Sequence, residues 1–474
     1  MKVLAVACNS QYIHTNPALF ALSRETPVKP NLDVVYKQWS INMSELWIYE
    51  QILAEKPDIL AFSLYIWNVD FAAGLLKDLR LLLPHCLFVA GGPEATGHPQ
   101  DIFQRLPQLE LLFLGEGEES WPAFLRLAAQ FDPAQDENWQ RCLIQAAAGP
   151  EGPAGVAAKD AIPASVAPID FRRRPFLYAP EDLQTLSREK RVIYYESSRG
   201  CPYGCSFCAS AREPLRERDL DLVLADLPRL AAAGGQIKFI DRTFNANPQR
   251  ALAICQTISA LYRPGLSWHF ELAPASCPEE LCRLFAAAPA GYFHLEAGVQ
   301  SLNPASLRAV GRAADWHKAK PTLQTLAASA CDLHVDLIAG LPYETPETFA
   351  QAFQALHELN PGYLQLGFLK ILPGSRLAEQ AAGFGLRYSP RPPYQILYTP
   401  DMSPEYLLQL HRGERALNAF YNKRRYRELL LEKGRTWPGG ALQMYFHLAE
   451  AMRAYPSGLS EKAAQAIIAT LDQA

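Results

Sequence analysis

The sequence predicts an α/β protein with an N-terminal doubly wound parallel sheet, a second set of parallel strands and a helical C-terminal region. Short apolar runs alternate with helix-like segments up to about residue 145, strand and helix patterns resume at residue 191, and helical sequence follows residue 400. Runs that are apolar on both faces suit a parallel sheet covered by helices on each side. We therefore expect domains at residues 1–145, 188–395 and 396–474, with a linker at residues 146–187.

The composition limits the class of protein. The chain has 474 residues, with 45 Lys and Arg against 49 Asp and Glu, so its formal net charge is −4. This balance argues against a globally basic nucleic-acid-binding protein, although a local patch stays open. No apolar stretch is long enough for a signal-peptide core or a bilayer crossing, and ten cysteines are a low density for this length. The sequence therefore predicts a cytoplasmic protein without membrane attachment.

The first predicted sheet has five strands, and small or flexible residues follow most of them. The strands are expected at the apolar runs 3–7, 32–36, 59–64, 87–90 and 111–114. The residues at their carboxyl ends are Asn9, Ser10, Ser63, Gly91, Gly92, Gly115 and Glu116. Open parallel sheets bind ligands beyond these ends, and glycine lets a backbone approach a ligand closely. A ligand site is predicted at this edge, with ordinary helix-to-strand turns as the alternative.

Two further segments stand out by composition. Residues 146–168 contain 9 Ala, 3 Gly and 4 Pro among 23 residues, so we expect a linker without a packable face. A basic aromatic segment near the C-terminus could face RNA. It comprises Arg412, Arg415, Phe420, Tyr421, Lys423, Arg424, Arg425, Tyr426 and Arg427. A solvated helix face is the preferred interpretation, because Glu414, Glu428 and Glu432 partly offset the charge.

The strongest local chemical signal is the segment Cys201-Pro-Tyr-Gly-Cys205-Ser-Phe-Cys208, which follows a strand-like run at residues 192–195. Three thiols within eight residues can converge on one metal centre. Structural zinc sites want four ligands, usually as two separated pairs, whereas soft thiolates favour an iron–sulfur cluster. A cluster held by three cysteines keeps one iron free for an exogenous ligand. A chance grouping of buried cysteines is the alternative.

Three predicted strands repeat one polar face. Residues that alternate along a strand share a face, and the pairs are His269 with Glu271, His294 with Glu296, and His334 with Asp336. Acidic side chains are rarely buried unless paired, so a barrel of such strands should be lined for a polar ligand. Glu196, after the first strand of this region, continues the pattern. The same His-x-acid spacing also fits a divalent-metal hydrolase, and solvent-facing ladder positions are a further alternative.

The sequence resembles the radical S-adenosylmethionine (SAM) superfamily, in the branch with an N-terminal cobalamin-binding domain, over roughly residues 1–390. The cysteine triplet, with Phe207 before its last member, is similar to the cluster loop of that family. Residues 295–301, 311–312 and 335–345 resemble successive strand ends of the family's partial barrel. The resemblance implies a flavodoxin-like cobalamin-binding sheet followed by a partial (β/α)6 barrel of the TIM type.

The resemblance also implies roles for particular residues. Cys201, Cys205 and Cys208 would hold a 4Fe-4S cluster whose open iron chelates the amino and carboxylate groups of SAM. The implied SAM-binding residues are Phe207, Asp241, Thr243, Glu271, Glu296, Gln300, Arg312 and Asp336. A guanidinium matches a carboxylate, and acids accept hydroxyl or ammonium protons. The glycine-rich strand end that receives the methionine amine in this family is not evident, and residues 239–245, with Asp241 and Thr243, stand in its place.

In the N-terminal half, residues 58–63, 90–94 and 115–119 resemble the corrin-binding sheet of this branch. The implied cobalamin contacts are Asn9, Ser10, His14, Ser63, Tyr65, Trp67, Gly91, Gly92, Gly115 and Glu116. Better-known cobalamin modules carry an Asp-x-His-x-x-Gly loop, whereas His14 here has no matching Asp or Gly. We therefore predict that His14 does not ligate cobalt and instead fixes its loop or meets the ligand edge. Tyr65 and Trp67 either lie against the corrin or belong to the core at the sheet edge.

The resemblance implies reductive cleavage of SAM to a 5′-deoxyadenosyl radical, and methyl transfer to an unactivated carbon is the most economical outcome. Rearrangement, ring closure and RNA modification stay open. So do a divalent-metal hydrolase and an iron–sulfur or RNA-binding regulator. A flavodoxin or ferredoxin reductant is implied, and the net charge of −4 favours a small-molecule or peptide substrate over RNA.

Overall fold

The computed structural model describes residues 1–455 and 459–472. They divide into two compact units. The first comprises Met1–Tyr195 and Ala232–Gly235, and the second comprises Glu196–Ala231 and Gln236–Ala474. No helix in the described part of the chain is long and apolar enough to cross a membrane.

The first unit is built on a six-stranded sheet covered by helices. The strands of the sheet are β1 Lys2–Asn9, β2 Asp33–Ser40, β3 Ile59–Ser63, β4 Leu87–Gly91, β5 Leu111–Phe113 and β6 Val156–Ala158. A further strand of this unit, β7 Ile193–Tyr195, does not belong to that sheet. Its helices are α1 Pro17–Arg24, α2 Glu45–Glu55, α3 Val69–Leu82, α4 Pro93–Gly97, α5 Pro99–Arg105, α6 Gly117–Ala128, α7 Trp139–Ala148 and α8 Pro180–Arg188. The sheet has the order β2-β1-β3-β4-β5-β6, and all pairs are parallel except β5 with β6.

Strand β1 lies at the centre of this unit and is buried on both faces. Its odd-numbered residues Val3, Ala5 and Ala7 belong to one hydrophobic cluster, whereas Leu4 and Val6 belong to another. Because alternate side chains point to opposite faces of a strand, the two clusters lie on opposite sides of the sheet. This arrangement confirms the predicted doubly wound parallel sheet.

The segment expected to be a linker without a packable face differs from that expectation. Val156, Ala157 and Ala158 form strand β6, are buried, and pair antiparallel with β5. Helix α7 continues to Ala148, inside the same low-complexity stretch. A strand of three apolar residues among proline and glycine is too short to show a periodic pattern. The edge strand β6 was therefore not predicted from the sequence.

The second unit contains a parallel sheet followed by helices. Its strands are β8 Ser198–Arg199, β9 Arg216–Glu217, β10 Gly235–Phe239, β11 Leu266–Leu272, β12 Phe293–Gln300, β13 Asp332–Ala339, β14 Tyr363–Phe368, β15 Arg387–Tyr388 and β16 Ile396–Tyr398. Its α-helices are α9 Leu220–Ala233, α10 Pro248–Ala260, α11 Glu279–Ala286, α12 Pro304–Ala309, α13 Trp316–Ala327, α14 Pro346–Glu358, α15 Arg376–Gln380, α16 Pro404–Ala416, α17 Arg427–Thr436, α18 Ala441–Met452 and α19 Glu461–Ala469. A π-helical turn at Leu417–Tyr421 follows α16.

The main strands of this unit lie in the order β14-β13-β12-β11-β10, and β11 to β14 pair in parallel. Local capping explains several helix starts around them. The Asp315 carboxylate accepts hydrogen bonds from two backbone N–H groups at the start of α13, and the Thr345 hydroxyl accepts one at the start of α14. The strands and helices of the two units confirm the predicted α/β class and the helical C-terminal region.

Candidate active site

A cavity of about 740 Å³ opens at the carboxyl ends of β10 to β13, entirely within the second unit. Six of the eight predicted SAM-binding residues line it. They are Thr243, Glu271, Glu296, Gln300, Arg312 and Asp336. Cavities of this size at strand ends are the usual ligand sites of α/β proteins.

The polar wall of this cavity follows from strand parity, as the sequence predicted. In β11, β12 and β13 the apolar residues are buried and the residues between them are partly exposed. The strand register sets Glu271 opposite Glu296, and Glu296 opposite His334. Since laterally paired residues share one face of a sheet, this register gathers carboxylates and imidazoles on the inner side.

The thiols of Cys201, Cys205 and Cys208 lie close to this wall. The Sγ of Cys201 is 3.5 Å from the Thr243 hydroxyl, and Nη1 of Arg312 donates to the Sγ of Cys205 at 3.4 Å. Burial raises the pKa of Cys208, and the charges of Cys205 and Cys201 raise it further. The electrostatic effect of Cys205 and Cys201 on Cys208 indicates that the three thiols lie near one another.

The spacing of the thiols tests whether they fit the implied cluster. In the described ranges, the three Sγ atoms do not all lie within 4.8 Å of one another. A single ion would need that compactness, whereas a polynuclear iron–sulfur centre holds its cysteines at separate irons. The residues present therefore fit a cluster better than one zinc ion.

The backbone around the thiols is fixed by close approach. Gly200, just before Cys201, has φ +82°, and a Cβ there would lie 2.3 Å from the Pro214 carbonyl oxygen. Ser206 donates its N–H to Val310 and accepts from the N–H of Leu377, both at 2.8 Å. These contacts tie the loop to other elements of the second unit, so the thiols are positioned before any ligand binds.

Gln300 and Arg312 stand in the cavity wall. The Oε1 of Gln300 and the Nε of Arg312 are both buried, and neither has a hydrogen-bond partner among the described residues. Gln300 also has φ +70°, at an irregularity in the pairing of β12 with β13. A left-handed non-glycine residue is costly, so this conformation in a cavity wall points to a binding site.

The pKa values of two neighbouring carboxyls in the wall, Glu271 and Glu296, shift in opposite directions. Burial raises the pKa of Glu271 to about 7, and the charge of Glu296 contributes to this rise. Burial works in the same direction on Glu296, but a hydrogen bond from His269 at 3.1 Å and the Lys238 ammonium at 3.5 Å hold its pKa at about 2. Near neutral pH the site therefore presents one partly protonated and one ionised carboxyl.

The structure differs from the prediction for Asp241. Its side chain is 1% exposed and does not line the cavity. The carboxylate accepts hydrogen bonds from the Ser197 N–H at 2.7 Å, the Ser197 hydroxyl at 2.5 Å and the Ser198 hydroxyl at 2.9 Å. Its acceptor capacity is used in holding the chain ahead of the thiol loop rather than in meeting a ligand. Phe207 is half-buried and also lies outside the cavity wall.

Sequence reasoning missed two cations of the site. Arg242 lines the cavity, and Lys238 projects between buried Ile237 and Phe239 on β10. The alternation of β10 could have identified Lys238, because it continues the inner face seen on β11 to β13. Glu196, predicted to extend the polar face, forms an ion pair with Arg199 at 2.7 Å.

The first unit has a smaller cavity of about 110 Å³ at the carboxyl ends of its strands. Half of the ten predicted cobalamin contacts line it, namely Ser63, Tyr65, Gly91, Gly92 and Gly115. Gly92 has φ +108°, and a Cβ there would lie 2.5 Å from the Leu64 carbonyl oxygen. The close approach of two strand ends therefore demands glycine at this position, whatever ligand binds.

The other predicted cobalamin contacts lie outside that cavity. Asn9 is buried, and its amide donates to the His14 carbonyl at 3.0 Å and to Gln38 at 3.2 Å. The ring of His14 is 2.7 Å from the Tyr194 hydroxyl, and Glu116 accepts the N–H of Ile169 at 2.8 Å. The polar atoms of Asn9 and Glu116 thus serve the loops, which differs from direct ligand contact.

Tyr65 and Trp67 stack on each other, with ring centroids 4.4 Å apart and planes inclined by 13°. Trp67 is 42% exposed, and its indole N–H donates to the Cys8 carbonyl at 3.3 Å. The pair is therefore not sheet-edge core. Ser10, the remaining predicted contact, is partly exposed after the end of β1.

Three cations of the basic C-terminal segment are engaged within the second unit. Arg424 pairs with Asp332, Arg425 pairs with Glu461 at 2.6 Å, and Arg427 donates to the Gly362 carbonyl. These contacts leave fewer free cations for a phosphate backbone, and they favour the solvated helix face over an RNA-binding surface.

Family comparisons match three parts of the chain. The radical SAM superfamily model matches residues 195–356, and the B12 binding domain model matches residues 31–125. A family described as a protein of unknown function (DUF4080) matches residues 382–455. The first two matches contain the thiol loop with its cavity wall and most of the first sheet, respectively.

The chain is also similar to individual proteins over most of its length. The chain is 27% identical over 367 residues to the cobalamin-dependent radical SAM methyltransferase TokK of Streptomyces tokunonensis, covering 74% of this chain and 53% of that protein. It is 24% identical over 414 residues to the anaerobic magnesium-protoporphyrin IX monomethyl ester cyclase of Rubrivivax gelatinosus, covering 83% and 70%. The chain thus spans about half the length of the first of these relatives.

Among solved structures, the cobalamin-dependent SAM radical enzyme OxsB, with aqua-cobalamin and SAM bound, superposes with a TM-score of 0.68 at 15% identity. The superposition covers 100% of this chain and 75% of that one. At this identity the likeness establishes the fold. It agrees with the sheets and helices described above.

Proposed function

We propose that this chain, a member of the radical SAM superfamily with a B12-binding domain, cleaves SAM reductively. We propose further that it transfers a methyl group to an unactivated carbon. The observation that carries the proposal is the cavity at the strand ends, which six of the eight implied SAM-binding residues line and which meets the thiol loop where Arg312 donates to the Cys205 sulfur. Gln300 and Arg312 in this wall suit a zwitterionic ligand, because an amide oxygen accepts from an ammonium and a guanidinium donates to a carboxylate.

In this proposal Cys201, Cys205 and Cys208 hold a 4Fe-4S cluster. Bound cluster and SAM supply a 5′-deoxyadenosyl radical, and bound cobalamin supplies the methyl group. Nη1 of Arg312 donates to the Cys205 sulfur, which would tune the potential of a bound cluster, and Nη2 donates to the Gly298 carbonyl. The guanidinium held in this way lines the cavity and would offer its positive charge to the SAM carboxylate.

Glu271 then orients the rest of SAM. Its pKa of about 7 leaves it partly protonated near neutral pH, so it can donate or accept a hydrogen bond. This suits a ribose diol, whose hydroxyls both donate and accept. Thr243, next to Cys201, keeps the mouth of the cavity polar on the cluster side.

The first unit supplies the cobalamin surface in this proposal. Ser63, Gly91, Gly92 and Gly115 border the cavity at the strand ends, and the stack formed by Tyr65 and Trp67 presents a flat apolar area for a corrin. His14 holds its loop through Tyr194 and does not ligate cobalt.

The partners follow from this chemistry. We expect a cytoplasmic flavodoxin or ferredoxin as the one-electron donor, and a small molecule or peptide as the substrate. RNA is disfavoured because three cations of the C-terminal segment already have partners.

Ring closure is a second candidate reaction. It is favoured by the similarity to the cyclase of Rubrivivax gelatinosus, which extends over 83% of this chain. Both candidates begin with the same cleavage of SAM, so they diverge only at the substrate. Retention of a labelled SAM methyl group in the product identifies methylation.

The test uses the full chain reconstituted anaerobically with iron, sulfide and cobalamin, then mixed with dithionite and methyl-labelled SAM. We expect 5′-deoxyadenosine and labelled methylcobalamin. Arg312→Gln should lower 5′-deoxyadenosine formation about tenfold or more, because it removes a charge-assisted contact. Arg283→Gln, on the exposed side of α11, is the matched control and should leave the rate unchanged. Absence of 5′-deoxyadenosine from the wild-type protein would contradict the proposal.

A further inference from the structure

Three side chains on the inner face of the second sheet bring ligand atoms together away from the thiol loop. One atom each from Glu296, His334 and Asp336 lies within 4.8 Å of the other two, the only such trio of His, Cys, Asp or Glu in the described residues. Glu296 and His334 are lateral neighbours on β12 and β13, and Asp336 follows two residues later on the same face. Regular strand geometry therefore builds the trio.

His334 and Asp336 pair with each other at the centre of the trio. Nε2 of His334 and Oδ1 of Asp336 are 2.8 Å apart, and both atoms are buried. A metal ion can replace the proton between an imidazole and a carboxylate, because metal ligands must be deprotonated. The pair is therefore set up to become two ligands of one ion.

The third ligand has the outer support that metal sites use. The Glu296 carboxylate accepts from Nε2 of His269 at 3.1 Å and lies 3.5 Å from the Lys238 ammonium. Outer partners of this kind hold a ligating carboxylate in one orientation. Glu296 and Asp336 also line the main cavity, so an ion bound between them would keep a side open to that cavity.

We propose that Glu296, His334 and Asp336 bind one divalent first-row cation, of the Mn²⁺, Fe²⁺ or Zn²⁺ class. One imidazole and two carboxylates suit these borderline and hard ions, whereas the soft thiol loop suits an iron–sulfur centre. The open side of the ion can take an oxygen donor of a substrate, such as a carbonyl or hydroxyl. The inference goes beyond the proposed function and assigns Glu296 and Asp336, expected to contact SAM, to a second metal.

The experiment titrates Mn²⁺ into the reconstituted full-length protein and follows the loss of the free-ion electron paramagnetic resonance signal. Mn²⁺ is chosen because it prefers oxygen and imidazole to thiolate. We expect one bound Mn²⁺ per chain, with a nitrogen coupling from one histidine. His334→Ala should weaken binding more than tenfold and remove the coupling. His269→Ala should weaken it 10- to 100-fold through loss of outer support, on the order seen for such partners.

The matched control is His294→Ala. His294 lies on the same face of the sheet and contacts Asp332 at 3.4 Å, outside the trio, so Mn²⁺ binding should be unchanged. If His334→Ala fails to fold, as judged by circular dichroism and iron content, Glu296→Gln replaces it and is expected to weaken binding more than tenfold. No Mn²⁺ bound at millimolar concentration, or equal binding by the wild type and both ligand variants, would overturn the inference.

The same samples separate this inference from the proposed function. 5′-Deoxyadenosine formation by the wild-type protein tests the SAM chemistry, and the Mn²⁺ titration tests the trio. SAM cleavage without a bound Mn²⁺ contradicts only the second metal. Mn²⁺ binding without SAM cleavage contradicts only the radical chemistry.

Discussion

The two sheets of this protein present polar groups to a ligand in different ways. In the first, strand β1 is buried along seven of its eight residues, so polar residues are confined to the strand ends. In the second, β12 alternates buried and partly exposed residues along its whole length, so carboxylates and imidazoles line an inner face. A sheet packed on both sides can bind only at its edge, whereas a sheet with one open face can build a deep polar site.

The largest expected effect tests the edge of the first sheet. Gly92→Ala would place a Cβ 2.5 Å from the Leu64 carbonyl oxygen at φ +108°. We expect a destabilisation of about 3–4 kcal/mol, measured by chemical unfolding of the full chain. Gly74→Ala is the matched control, because nothing lies within 4 Å of a Cβ there and the residue is inside helix α3. It should stabilise by up to about 1 kcal/mol. Equal effects of the two substitutions would refute the close-approach argument.

The next prediction tests the open face of the second sheet through pH. Burial raises the pKa of Glu271 from its ordinary value of 4.5 to about 7. Between these values the folded chain keeps a proton that the unfolded chain has lost, so this group makes stability fall as pH rises, by up to about 3 kcal/mol. Below pH 4.5 and above pH 7 its contribution is constant.

Glu271→Gln should remove this decline. The measurement is the difference between wild-type and variant stability at pH 5 and at pH 8. Glu279→Gln, exposed on α11, serves as the control and should retain the wild-type slope. A wild-type slope that survives in Glu271→Gln would mean that the open face does not perturb this carboxyl.

The smallest expected effect concerns His14 in the first unit. His14→Ala removes one hydrogen bond to Tyr194, which should cost about 1 kcal/mol. The electron paramagnetic resonance spectrum of the cob(II)alamin form should be the same with and without His14. A nitrogen superhyperfine splitting that is present in the wild type and vanishes in the variant would show that His14 ligates cobalt, contrary to this prediction.

The same contrast explains what could be predicted from the sequence. Alternation in β11 to β13 is a local pattern, so the shared faces of His269 with Glu271 and of His334 with Asp336 could be identified from the sequence and agree with the structure. The thiol triplet is likewise local. Lys238 obeys the same alternation, but it belongs to no histidine–acid pair, so the pattern that identified the other strands did not identify it.

Residues at strand ends were harder to assign, because their partners are distant in sequence. Asn9 pairs with Gln38, and Asp241 accepts from Ser197, which lies 44 residues earlier. No local pattern reveals such contacts, so polar residues that hold loops resembled residues that bind ligands. The antiparallel strand β6 was missed for a related reason, since its three residues pair with β5 across a long separation.

We propose that Cys201, Cys205 and Cys208 hold a 4Fe-4S cluster beside the cavity. The measurement is the iron and sulfide content of the anaerobically reconstituted full chain and of its Cys201→Ala variant, with Cys142→Ala as the control outside the loop. We expect about four iron and four sulfide per chain in the wild type and the control, and loss of most of both in Cys201→Ala. Equal iron and sulfide in all three proteins, or none in the wild type, would contradict it.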